Sequence, residues 1–219
     1  MNHLTPFATL AALASVLGFH QAYAGIFIDT SPGTAAPPST LGGYSMIGFP
    51  ADPSAEGSMI SSLTPPASAP VTGNLTFSPA VAHSIVPSSW GTWSHGYTGD
   101  VYYNASSELM LDLPTGTLAF YLYVEPNILD NFMFEVTTES AMQTGITVNG
   151  NGGAQYVGVY SDTPLDSVSF LFVKQPDGAA DGFAVGEFGI NNVPEPRTYG
   201  LIGGLALLGF GACRKFSRS

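Results

Sequence analysis

Between Trp90 and Tyr103 the chain reads WGTWSHGYTGDVYY, which places Trp90, Trp93, Tyr97, Tyr102 and Tyr103 within fourteen positions, with His95 and Asp100 among them. Aromatic rings stack on the apolar faces of sugars while neighbouring polar atoms hydrogen-bond the hydroxyls. Apolar walls with a few placed polar groups are the usual design of a ligand pocket. These five residues are therefore the carbohydrate-binding candidates. The competing use is structural: tryptophans anchor a sheet core and tyrosines cover its edge.

Other chemistry is thinly supplied. His83 and His95 are the only histidines between Gly25 and Asn192. They are twelve positions apart, with no cysteine partner and no HExxH pattern, so a zinc site lacks ligands. Asp177 and Asp181 in PDGAADG are weak candidates for a structural calcium, as are Asp162 and Asp166. None matches an EF-hand loop, and Asp-Gly turns explain them equally well. No other metal or cofactor is expected. There is no GxSxG and no phosphate-binding GxxxxGK[ST] loop, and no pair of carboxylates stands out. Lys174 is the single cation between Gly25 and Val193. Acid–base and charge-stabilising groups are thus scarce, and no catalytic residues are expected.

The elements that would position these side chains read as strands. In TLAFYLYVE, Leu118, Phe120, Leu122 and Val124 alternate with Ala119, Tyr121, Tyr123 and Glu125. Phe132, Phe134 and Val136 alternate in FMFEVTTE, as do Val168, Phe170 and Phe172 in DSVSFLFV. This period of two marks strands with one face on a core. LPTG, NGNGG, SDTPLD and PDGAADG separate them as turns. In GFAVGEFGI, Phe183 and Val185 keep one parity and Phe188 and Ile190 the other, which predicts a bulge near Gly186. The expected fold is all-β, an antiparallel jelly-roll-like sandwich over residues 75–192. Residues 25–74, rich in Pro, Ser, Thr and Gly, read as a loosely structured lead-in with a short strand at YSMIGF.

Composition supports this. Of 219 residues, 45% are apolar, enough for a core, and only 10% are charged. The segment from Gly25 to Val193 holds fifteen acids against Lys174. Such a surface repels phosphates, so nucleic-acid binding is excluded.

The two ends differ from the middle. Phe7 to Phe19 is an apolar stretch of secretory length, and Ala22 and Ala24 offer the small residues a signal peptidase accepts, with cleavage expected before Gly25. Residues 1–24 are thus expected to be a signal peptide. At the other end stands Val193-Pro194-Glu195-Pro196, then an apolar run from Tyr199 to Cys213, then Arg214, Lys215 and Arg218. As a helix, the run would be roughly 22 Å long, short of the ~30 Å hydrocarbon core. Local thinning and snorkelling of Arg214 and Lys215 would accommodate it as a single short transmembrane helix. The prolines keep the strip before it extended and deprive it of two backbone donors, as a protease cleft requires.

This succession over 193–218 resembles the PEP-CTERM sorting signal of Gram-negative bacteria, also called an ice-binding protein C-terminal domain. The resemblance implies export, a transient inner-membrane anchor and recognition by an exosortase acting at or near the PEP residues. It also implies residence at the cell surface or in an exopolysaccharide or biofilm matrix. The strand pattern further resembles the carbohydrate-binding sandwiches that precede many such tails. The resulting expectation is a secreted or surface-held, non-enzymatic, polysaccharide-associated protein. Two alternatives stand beside it: a secreted carbohydrate-active enzyme with the same tail, and an adhesin or ice-binding-like protein.

Overall fold

A computed structural model describes residues 25–173 and 182–192, side chains 170–173 apart. The expected signal peptide at 1–24, the expected sorting strip at 193–196, the apolar run at 199–213, the basic tail at 214–218, Asp177 and Asp181 all lie outside the described residues. Among the described residues, no helix is long and apolar enough to cross a membrane.

Those residues form thirteen strands and no helix. β1 (Ile26–Asp29), β2 (Thr40–Leu41), β3 (Tyr44–Gly48) and β4 (Met59–Leu63) precede the long β5 (Leu75–Ile85). β6 (Asp100–Asn104), β7 (Glu108–Asp112), β8 (Ala119–Pro126) and β9 (Asn131–Thr138) follow. β10 (Met142–Asn149), β11 (Gln155–Ser161), β12 (Ser167–Val173) and β13 (Phe183–Asn191) complete the set. Pairing is antiparallel throughout, in the order β1-β11-β8-β13-β6-β5-β7-β12-β9-β10. The described residues are all-β, as their alternating sequence requires.

The ribbon of strands doubles over through β5. Thr76 to Ser78 pair with β7, whereas Ala82 to Ile85 pair with β6. Between them Ser78, Pro79 and Ala80 are exposed. A proline has no ladder donor to give, and strands that change layer do so at such bends. One layer is therefore β1, β11, β8, β13 and β6; the facing layer is β7, β12, β9 and β10. Between the layers, Phe120, Leu122, Val124 and Val185 meet Leu109, Leu111, Phe134 and Val136 in one core. Across the gap the rings of Phe134 and Phe183 pack edge to face at 5.8 Å.

β8 departs from a one-sided strand: all eight residues are buried. Phe120, Leu122 and Val124 enter the main core, and Ala119, Tyr121 and Tyr123 enter a second cluster with Leu41, Ala154 and Tyr156. The cover on that outer face comes partly from residues 25–74. β1 pairs with β11, β3 with β13 and β4 with β5, and Tyr44 and Met46 pack on the second cluster. The lead-in is thus knitted into the sheet rather than standing apart, and residue 75 marks no boundary within it. The reason is the apolar area on the outer face of β8 and β11. Burying each large side chain there gains roughly 1.5–3 kcal/mol, enough to recruit a segment of low strand propensity.

The bulge in β13 forms where parity changes. Its register on β8 shifts between Gly186 and Gly189, leaving Glu187 at φ 52. Before the shift β13 borders β6; after it, β3.

Candidate functional site

The connection between β5 and β6, residues 86–99, folds over the outer face of the first layer, its base closed by Val86 N donating to Gly99 O at 3.0 Å. It carries much of the aromatic cluster, and two carboxylates rising from β8 and β13 hold it down. Glu125 belongs to the outward set of β8 and is fully buried. Trp90 Nε1 donates to its Oε2 at 2.5 Å and Thr92 Oγ1 to its Oε1 at 2.9 Å. Burial pushes the Glu125 carboxyl up to about 7, the two donors only partly opposing it.

The second carboxylate is Glu187, aimed by the bulge. Its Oε2 accepts from Trp93 Nε1 at 3.2 Å and lies 3.0 Å from His95 Nε2. The Glu187 side chain is 12% exposed and that of His95 17%. Burial raises the Glu187 carboxyl above its usual range, with His95 and Trp93 opposing. His95, at φ 41, and Glu187 are the non-glycine residues with positive φ among those described. Bulges and left-handed side-chain-bearing residues concentrate where a side chain must be aimed.

A third network braces the opposite wall. His83 Nε2 lies 2.9 Å from Asp100 Oδ1, and Asp52 N donates to Asp100 Oδ2 at 2.8 Å. Tyr102 Oη donates to Asp52 Oδ2 at 3.1 Å. Burial works against a charged His83, but the Asp100 hydrogen bond and charge outweigh it and the imidazole titrates above its ordinary value. For Asp52, hydrogen bonds from Ser54 and Tyr102 overcome burial and hold the carboxyl low. This network ties the strap after β3, Phe49 to Asp52, against β6.

Between that strap and the loop lies a cleft of about 370 Å³, lined by Phe49, Tyr97, Tyr121, Asp100, Glu187 and Phe188 among others. Tyr121 reaches it across β13. A Cβ on its partner Gly189 would stand 2.1 Å from Tyr121 Cε1, so only glycine leaves room for the ring. The phenol of Tyr121 is pushed up to about 12 by burial and then by the Glu187 charge. Tyr97 is raised for the same two reasons, with Asp100 adding to them. A wider groove of about 530 Å³ crosses the outer face of the second layer, with Glu108, Met110, Glu135 and Thr137 in its walls but no aromatic ring.

The five aromatic candidates part company. Trp90 is buried against Tyr103, Val101 and Ala184 and acts as an anchor. Tyr102 is 3% exposed, its ring stacked on Phe77, Phe188 and His83, and it forms part of the cleft's lining. Tyr97 is half-buried, lines the cleft and is fixed by its hydroxyl donating to Asp100 O at 3.1 Å. Trp93 packs beside it at 6.1 Å, and Tyr103 covers Trp90. His83 and His95 serve different carboxylates, and no group of three metal-ligating side chains occurs among the described residues.

Sequence reasoning missed Glu125, Glu187, Phe49 and Tyr121. Glu125 had a signal: it is the charged residue on a strand face otherwise made of Ala and Tyr. Glu187 had one too, standing beside the predicted bulge. Phe49 had none.

No protein-family model matches the chain, and no curated protein is similar to it in sequence. Among solved structures, it is similar to a chain of the CBM51-2 and INT domains of Clostridium perfringens ZmpB, described in complex with GlcNAc. The identity is 11% and the TM-score 0.39. The likeness covers 52% of this chain and 28% of that one. Nothing about the chemistry of the cleft follows from a likeness of that degree.

Proposed function

We propose that the protein is an exported, surface-sorted, non-enzymatic β-sandwich that holds a glycan in the cleft between Phe49 and Tyr97. The observation that carries this reading is the cleft's lining: five aromatic side chains, Phe49, Tyr97, Tyr102, Tyr121 and Phe188, with the polar groups of Asp100 and Glu187. Binding is favoured over hydrolysis because no pair of these carboxylates is free to share acid–base work. Both Asp100 oxygens are engaged and Glu125 is sealed beneath Trp90, which leaves Glu187, held through Oε2 by Trp93 and His95, without a carboxylate partner. A glycan array probed with the purified protein tests it. Binding that weakens at least tenfold in Tyr97→Ala supports the reading; no binding to any glycan overturns it.

Sorting by an exosortase is proposed on the sequence of the tail, and the fold is compatible with it. Ile26 pairs with Ser161, whose N donates to Leu118 O, and Leu118 N donates to Asn191 Oδ1 at 2.8 Å. β1 therefore begins, and β13 ends, at one end of the sheet. Asn192 N still donates to Ser45 O, so the domain holds the chain to within one residue of Val193. Both expected processing strips would thus adjoin the same end of the sheet. Replacing Pro194, Glu195 and Pro196 by alanine is expected to leave a membrane-held precursor in the native host; unchanged release would overturn the sorting proposal.

A further inference from the structure

None of the five Lys and Arg residues of the chain falls among the described residues, whereas thirteen of its sixteen acids do. The cleft therefore has no cationic side chain among its lining residues to meet an anionic sugar. What it has is a carboxylate set among aromatic rings. Of the two Glu187 oxygens, Oε2 takes the hydrogen bonds from Trp93 and His95, and Oε1 takes neither. Tyr97 and Tyr121 stand close enough for the Glu187 charge to raise both phenols. A carboxylate beside aromatic faces is what an alkylammonium group prefers, through a charge-assisted hydrogen bond and cation–π attraction. It suits an acetamide less, because an acetamide brings no charge. The holding of Glu187 in left-handed backbone, and of its partner His95 likewise, adds a second observation: the fold tolerates unfavourable conformations at the two residues that set this carboxylate.

Resting on the glycan-binding reading above, we propose that the cleft selects an amino sugar with a free ammonium group, which sits against Glu187. The natural ligand class would be a fully or partly de-N-acetylated amino-sugar polymer. The groups around Glu187 are His95, Trp93, Tyr97, Tyr121 and Tyr123, with Asp100 also lining the cleft, so affinity should rise with pH as Glu187 gives up its proton, until the sugar amine itself is neutralised.

The test is calorimetry of the purified protein at about 150 mM salt, where exposed charges are screened beyond about 8 Å. Glucosamine oligosaccharides are compared with their fully N-acetylated counterparts. The free amines should bind at least tenfold tighter. Glu187→Gln, which keeps the side chain's shape, should erase that preference, and Asp130→Asn on the exposed turn before β9 should keep it. Equal binding of the two oligosaccharides overturns the ammonium proposal and leaves the glycan reading standing; binding of neither also overturns it, and the glycan array then decides the reading beneath it. Equal loss in Glu187→Gln and Asp130→Asn overturns it as well, by assigning the preference to the acidic surface as a whole. The ligand comparison on the unaltered protein decides the matter even if Glu187→Gln does not fold.

Discussion

His95 and Glu187 are the side-chain-bearing residues in left-handed backbone among those described, and they bond to each other: His95 Nε2 lies 3.0 Å from Glu187 Oε2. One sits in the loop between β5 and β6, the other in the bulge of β13, 92 positions away. Each conformation costs on the order of 1 kcal/mol. The contact is therefore more than a surface ion pair; it locks loop to sheet at the edge of the cleft.

Replacing His95 separates backbone from side chain. Both His95→Gly and His95→Val lose the Glu187 contact and the packing of the ring on Tyr123 at 5.3 Å. Only valine must also hold a β-branched side chain at φ 41. Urea unfolding should find His95→Val less stable than His95→Gly by at least about 1 kcal/mol. Equal stabilities would mean that this backbone position is unstrained.

Glu125 makes stability depend on pH in an uncommon direction. Its carboxyl titrates near 7 when folded, against 4.5 for an ordinary glutamate, so between these the folded state holds the extra proton. The contribution is fully present below about 4.5 and is lost as pH rises through 7, by up to about 3 kcal/mol. Glu125→Gln, whose amide oxygen can accept from Trp90 and whose NH₂ can donate to Thr92, should flatten the profile. Thermal unfolding of both proteins from pH 5 to 8 measures this; an unchanged slope in the variant rules Glu125 out.

His83 acts in the same sense. Its folded pKa lies above 6.5, so its stabilising contribution is complete below 6.5 and fades as pH rises through the folded value. Asp52 acts oppositely: its depressed pKa gives stability above 3.8 that is lost as pH falls. The stability maximum should therefore fall on the acid side of neutrality, near pH 5. His83→Ala should cost about 2–4 kcal/mol there, because Asp100 loses a buried partner and a cavity opens. A maximum above pH 7 would contradict the assignment.

Gly189 should tolerate no side chain. An added Cβ would stand 2.1 Å from Tyr121 Cε1 and 2.2 Å from Cζ, and Tyr121 is backed by Tyr156 at 5.5 Å. Gly189→Ala should lose at least about 2 kcal/mol and weaken ligand binding together, since the ring it displaces lines the cleft. Gly91→Ala, with open space beside it and no left-handed backbone, is the control. A Gly189→Ala variant as stable as the parent would show that the ring can move.

The strands, their parity and the β13 bulge were legible because a pleated strand repeats every two residues, so sidedness is written locally. Phe120, Leu122 and Val124 read as one face from TLAFYLYVE alone, and Phe183 against Phe188 demanded an extra residue between them. The acidic surface and the aromatic loop are likewise properties of the string itself. What covers the other face of β8 is not local. Leu41, Tyr44, Trp90 and Trp93 come to it from segments far away in the sequence, and only the closed fold brings them there. The same folding decides that Trp90 is buried beneath Tyr103, that Tyr97 and Tyr102 line the cleft, and that Glu187 stands among their rings. Burial and charge proximity depend on separation in space, and for these residues that separation is set by which strands pair.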